Sequence, residues 1–200
     1  MNPIIYVHGM GGSADEAELF RDCFPGREVV GFDYLAETPM ECVPEFRAAF
    51  AEYRERYGQV GVLANSIGAY YSMISLADVE IARAWFISPV VDMEKLILGM
   101  MKNAGVSEEE LRRRGRVDTV GGPPLRWDYL TFVREHPIKW EVPMAVLYGS
   151  EDLLTSRRTV ETFAESHRVK LTVMEGGEHW FHTPEQMNYL FEWLKNDQDL

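Results

Sequence analysis

Six short apolar runs, Ile4–Val7, Glu28–Phe32, Val60–Ala64, Ala84–Ile87, Met144–Tyr148 and Val169–Met174, recur along this chain of 200 residues. Each is rich in Val, Ile, Tyr or Phe and almost unbroken by polar side chains, as a strand must be when both faces of its sheet are covered. The segments between them carry helix-start signals. Ser13 with Glu16, Thr38 with Glu41, Ser107 with Glu110 and Thr183 with Gln186 all have capping-box spacing. Pro184 directly follows its cap, where the missing N–H costs nothing. Val43, Phe46, Phe50, Tyr53 and Tyr57 share one helical face closed by Gly58, with Pro39 and Pro44 leaving the start of that helix open. The last helix, from Pro184 to about Lys195, turns Met187, Leu190, Phe191 and Leu194 inward. Such alternation of strand and helix defines an α/β doubly wound fold with a mostly parallel six-stranded sheet. The length suits one domain, residues 1–200.

One segment breaks the rhythm. Pro89 to Pro143 is far longer than a crossover needs, and it reads as a helical insertion (89–143) acting as a lid. Helices are expected near Met93–Asn103, Ser107–Arg114 and Trp127–Glu135, with Gly121-Gly122-Pro123-Pro124 breaking the last two apart.

The formal net charge of −12 argues against a nucleic-acid surface, which needs clustered Lys and Arg. Arg112, Arg113, Arg114 and Arg116 do cluster, but Glu108, Glu109 and Glu110 lie four residues ahead of the first three, as in exposed helix pairs. Cys23 and Cys42 have neither a disulfide framework nor metal-site spacing, and no His pair or carboxylate cluster points to a metal. Met-Asn-Pro runs straight into Ile4 with no basic region before a long apolar stretch, and nothing is long enough to span a bilayer. These features predict a cytoplasmic protein.

The chemistry concentrates at the ends of the runs. Val60-Gly-Val-Leu-Ala-Asn-Ser66-Ile-Gly68 is an apolar strand leading into a serine, with a helix leaving at once. A nucleophile elbow needs this context, because the serine must project its hydroxyl from a strained turn between small neighbours. Ala64 stands where the usual pattern has its first glycine, and a serine capping a helix after a strand has the same local appearance. His8-Gly9-Met10-Gly11-Gly12 ends the first run in a glycine-rich turn whose N–H groups can face a developing oxyanion, with Met10 and Ile67 as donors. His8 itself reads as structural. Asp152 follows the fifth run on a short loop, and His179 follows the sixth on a glycine-rich one. A serine hydroxyl near neutral pH needs an imidazole to take its proton, and the imidazole needs a carboxylate to fix its tautomer. Asp92, after the fourth run, is the rival acid; Asp33, Glu151, His136, His167 and His182 lack a role.

On Ala64-x-Ser66-x-Gly68, the His8-Gly9 turn and the order Ser66, Asp152, His179, the chain resembles the α/β-hydrolase superfamily over nearly its whole length. It is most similar to the small single-domain bacterial serine hydrolases. The resemblance implies parallel strands in spatial order 2-1-3-4-5-6, a lid after the fourth strand and no cofactor. The expected activity is hydrolysis of a carboxylic ester or related acyl bond of a small substrate through an acyl-serine. Met93, Ile97 and Met100 of the insertion are the candidate substrate-binding residues, suited to an apolar acyl group. Aminopeptidase and thioesterase activities use the same triad, and a catalytically weak binding protein of this fold remains an alternative. Oligomeric state has no signal in the sequence.

Overall fold

The computed structural model describes residues 2–197. Its strands are β1 (Ile4–Val7), β2 (Val29–Phe32), β3 (Val60–Asn65), β4 (Ile81–Ile87), β5 (Arg116–Val117), β6 (Leu125–Arg126), β7 (Met144–Gly149) and β8 (Lys170–Met174). Its helices are α1 (Pro39–Tyr57), α2 (Ile67–Ser75), α3 (Met93–Ala104), α4 (Glu108–Arg114), α5 (Trp127–Glu135), α6 (Arg157–His167) and α7 (Pro184–Asn196), with a 3₁₀ segment over Ala14–Cys23. Six strands form one sheet in the order β2-β1-β3-β4-β7-β8. Every pairing in it is parallel, so all the loops that follow the strands emerge at one end.

The period of two along each strand divides the core. Ile5, Val7, Val62, Ala64, Phe86 and Val146 point to one face, beneath α1, α2 and the helices after β4. Ile4, Tyr6, Leu63, Trp85, Ile87 and Leu147 point to the other, beneath the 3₁₀ segment and α7. Both faces are therefore dry, which is why the strands read as continuous apolar runs.

Helix α1 starts at Pro39, with Thr38 and Glu41 forming the reciprocal capping box. Pro44 lies inside it on the exposed side, where the lost backbone bond faces water. The Ser13–Glu16 box does not form: Ser13 makes no side-chain cap bond and the segment it opens is 3₁₀. Glu16 instead accepts a hydrogen bond from the buried Tyr6 hydroxyl at 2.5 Å, and a buried hydroxyl left unpaired costs more than an exposed cap returns.

Between β4 and β7 the chain holds α3, α4 and α5, close to the expected bounds, and a hairpin of β5 and β6 that was not expected. Two-residue strands carry no period to read. No helix among the described residues is long and apolar enough to cross a membrane.

Candidate active site

Ser66 sits between β3 and α2 with φ 51° and ψ −118°, a backbone region that disfavours side chains with a Cβ. Its neighbours hold it there. The Ser66 N–H donates to the Ile87 carbonyl at 2.9 Å, and its own carbonyl accepts from Val90 and Ala69, each at 3.2 Å. Helix α2 then passes so close to β1 that a Cβ on Gly68 would lie 2.3 Å from the His8 carbonyl oxygen. At position 64 the demand is weaker. Ala64 pairs with Val7 and Phe86, and its methyl is simply part of the core.

A second close approach brings the other two residues in. A Cβ on Gly149 would stand 2.4 Å from the Gly177 carbonyl oxygen, so the loops after β7 and β8 touch backbone to backbone. Glu151 donates its N–H to Gly177 at 2.8 Å and its side chain stays exposed. Asp152 is buried. Its Oδ1 accepts from the N–H groups of Leu154 (2.7 Å) and Thr155 (3.0 Å), leaving Oδ2 to His179 Nδ1 at 2.7 Å. His179 Nε2 lies 2.8 Å from Ser66 Oγ. Because a carboxylate only accepts, the proton belongs on Nδ1, and Nε2 is free to accept from the serine hydroxyl. Ser66, Asp152 and His179, predicted separately, thus form one hydrogen-bonded line.

The turn after β1 lies beside Ser66: a Cβ on Gly9 would meet Ser66 Cβ at 3.3 Å. His8 is buried within it, with Nδ1 against the Gly9 carbonyl at 2.8 Å, its ring stacked on Tyr34 and its carbonyl accepting from the Tyr34 hydroxyl. Among the described residues no hydrogen bond uses the N–H of Met10 or of Ile67. Both residues line a cavity of about 460 Å³, whose far wall is built by the segment between β4 and β7. Met93, Ile97 and Met100, all on α3, face this cavity together with Leu96.

Asp92 is elsewhere: it is exposed, and its Oδ1 caps α3 by accepting from the Lys95 N–H at 2.9 Å. Asp33 is an exposed loop residue. His136 and His167 hydrogen-bond the carbonyls one turn back, and His182 that of Trp180. Of the three glutamate–arginine pairs expected on α4, Glu110–Arg114 forms at 3.0 Å, whereas Glu108 is held twice by Arg134 of α5. Tertiary packing supplied a better-aligned, bidentate partner. No group of three His, Cys, Asp or Glu side chains among the described residues is placed to hold a metal.

Several residues of the site had no sequence assignment. Tyr34, Tyr71 and Tyr129 line the cavity, and burial pushes all three phenols up, Tyr71 to about 12. They are therefore neutral hydrogen-bonding groups at physiological pH. Tyr71 lies one turn beyond Ile67 on the same face of α2, a spacing that could have pointed to it.

Neither a family model nor any curated protein matches the chain. Solved structures do. The Est1E protein from Butyrivibrio proteoclasticus superposes with a TM-score of 0.79 over 98% of this chain and 86% of its own, at 17% identity. Est1E has also been solved with ferulic acid bound. Mouse alpha/beta hydrolase domain-containing protein 10 gives a TM-score of 0.70 at 14% identity, covering 97% and 88%. The esterase domain of a Rhodothermus marinus protein gives 0.66 at 13% identity, covering 98% and 87%. The chain has the α/β-hydrolase fold.

Proposed function

We propose that the protein is a serine hydrolase that cleaves a carboxylic ester, or a related acyl bond, of a small substrate through an acyl-enzyme. The observation that carries this reading is the unbroken line from buried Asp152 through His179 to Ser66, placed beside two unused N–H groups. Ser66 Oγ attacks the carbonyl carbon while His179 Nε2 takes its proton. The carbonyl oxygen becomes an oxyanion and is held by the N–H groups of Met10 and Ile67. The tetrahedral centre collapses, the C–O bond to the leaving group breaks, and His179 returns the proton to the departing oxygen. Water then repeats the sequence to release the acid and free Ser66. Asp152 orients the imidazole and stabilises its charged form. These groups supply every proton transfer, so the reaction calls for no cofactor.

The cavity beside Ile67 suits the acyl group, with Met93, Ile97 and Met100 as its apolar wall, and residues 89–143 act as a lid within a single domain. That the structural neighbours include an esterase domain and an alpha/beta hydrolase domain-containing protein supports the class of reaction. A fluorophosphonate probe with peptide mapping tests the reading: modification is expected at Ser66, and Ser66→Ala should lower p-nitrophenyl ester turnover by about three orders of magnitude or more. Labelling at another serine, or a folded Ser66→Ala variant that retains turnover, would refute it.

A further inference from the structure

Two cavities share the turn Gly9-Met10-Gly11, which lines both. The first is the apolar cavity beside Ile67. The second, about 410 Å³, contains Ser66 and His179 themselves. If Ser66 is the nucleophile, the two are not equivalent. The leaving group must end within reach of the proton on His179 Nε2, so it occupies the second cavity, and the acyl group lies in the first.

The second cavity has a distinct chemical character. Among the described residues, Glu16 is the one ionisable side chain besides His179 that lines it, and no Lys or Arg does. Glu16 Oε2 is tied by the Tyr6 hydroxyl at 2.5 Å. Its Oε1 lies over Gly12, where a Cβ would come within 2.7 Å of it. Among the described residues no hydrogen bond or ion pair reaches Oε1, so one carboxylate oxygen remains open. Trp180 belongs to the same lining and is 70% exposed. One side of its indole is stacked on His182 at 5.0 Å. A fixed carboxylate and an indole, with no competing cation, suit an ammonium group: the carboxylate supplies charge, and the ring face supplies its quadrupole and apolar area.

We propose that this cavity selects substrates whose leaving group carries a cationic amine, such as esters of amino alcohols. This rests on the serine-hydrolase reading above and adds the leaving-group class to it. Glu16 holds the ammonium, Trp180 covers it, and an anionic leaving group is repelled.

The test uses two esters of one short acid, the 2-(trimethylammonio)ethyl ester and its neutral isostere, the 3,3-dimethylbutyl ester, which differ only in N⁺ for C. The full chain should favour the cationic ester in kcat/KM by about tenfold. The ratio should fall toward one in Glu16→Gln, which keeps an acceptor for Tyr6, and should fall less in Trp180→Ala. Raising the salt concentration should shrink the preference in the unaltered protein, because screening weakens a carboxylate–ammonium contact at an open cavity. This arm requires no variant to fold. Equal rates on the two esters, or a preference that Glu16→Gln and salt leave intact, would overturn the proposal.

A binding arm separates it from the hydrolase reading. Choline, the free alcohol, is titrated against tryptophan fluorescence, with Trp180→Phe identifying the signal. Saturable quenching that depends on Glu16, without ester turnover, would refute the hydrolase reading and leave the ammonium site standing. Turnover with neither preference nor quenching would do the reverse.

Discussion

Asp152→Asn is the substitution for which the structure dictates the outcome most closely. Oδ1 accepts two backbone N–H groups, from Leu154 at 2.7 Å and Thr155 at 3.0 Å. The asparagine must therefore place its carbonyl oxygen there, since an NH₂ facing two donors would leave both unpaired at about 1–3 kcal/mol each. Its NH₂ then occupies the position of Oδ2, 2.7 Å from His179 Nδ1, and donates. His179 must accept at Nδ1 and carry its proton on Nε2, where it can no longer receive one from Ser66. The fold and the hydrogen-bond count stay almost unchanged while the imidazole is locked in the inactive tautomer. The expected loss in turnover is about 10^4-fold, or about 5 kcal/mol of barrier. The assay is kcat/KM on an activated ester beside a thermal melt, with Asp92→Asn as comparator. Asp92 only caps α3, and asparagine caps as well as aspartate, so that variant should keep both its rate and its stability. If folded Asp152→Asn retained more than about a tenth of the activity, or if Asp92→Asn lost as much, the assignment of the acid would be wrong.

Ser66→Gly should be more stable than Ser66→Ala by about 1 kcal/mol, read in thermal melts, because only glycine relieves the positive φ. Gly68→Ala should destabilise by on the order of 3 kcal/mol because its Cβ would meet backbone. Gly99→Ala, exposed in α3 with nothing within 4 Å of its Cβ, should gain about 0.5–1 kcal/mol in denaturant unfolding. Shortening Ile97 or Met100 should shift chain-length preference along a series of acyl esters several-fold per carbon, at about 1 kcal/mol per methylene contact; lower stability with unchanged relative rates would mean these residues only pack. Burial alone would push the Asp197 carboxyl up, but hydrogen bonds from Lys170 and Arg83 outweigh it and hold it below the usual carboxylate range. Its contribution is therefore complete above the unfolded value of about 4 and disappears as pH falls through the lower folded value. The difference in melting temperature between the unaltered protein and Asp197→Asn should accordingly be largest at neutral pH and shrink in acid.

The sheet was readable because its strands are buried on both faces, and the places where reading failed have specific causes. Strand β4 begins at Ile81, three residues before the apolar run taken for it. Arg83 makes the start look like a loop, but its guanidinium pairs with Asp197 at the far end of the chain, a partner no local pattern can show. Glu16 failed as a capping residue for the same reason: its competitor, Tyr6, is in another element. The β5–β6 hairpin is held by Arg116–Arg126 and Val117–Leu125 pairing across a turn whose glycines and prolines signalled only a break.

The candidate site divides along the same line. Ser66, Asp152 and His179 were legible one by one because each follows an apolar run, and in a parallel sheet all such positions share one end. Their alignment to within hydrogen-bond distance is set elsewhere, by backbone contacts that glycine permits. At Gly68 the contact presses α2 onto the turn that carries Met10; at Gly149 it presses the Asp152 loop onto the His179 loop. Ala64, by contrast, has room for its methyl within the core, so the motif's first glycine can be replaced without cost to the elbow. The geometric demand of this site therefore falls on Gly68 and Gly149 more than on the first position of the serine motif. Beyond Met93, Ile97 and Met100 of α3, the cavity walls had no such marker. Tyr34, Tyr71, Tyr129, Glu16 and Trp180 come from separate segments, and each would read alone as core or surface. Their shared setting arises only when the turn Gly9-Met10-Gly11 brings two cavities side by side, one lined by Ile67 and the three tyrosines and the other by Ser66, Glu16 and Trp180.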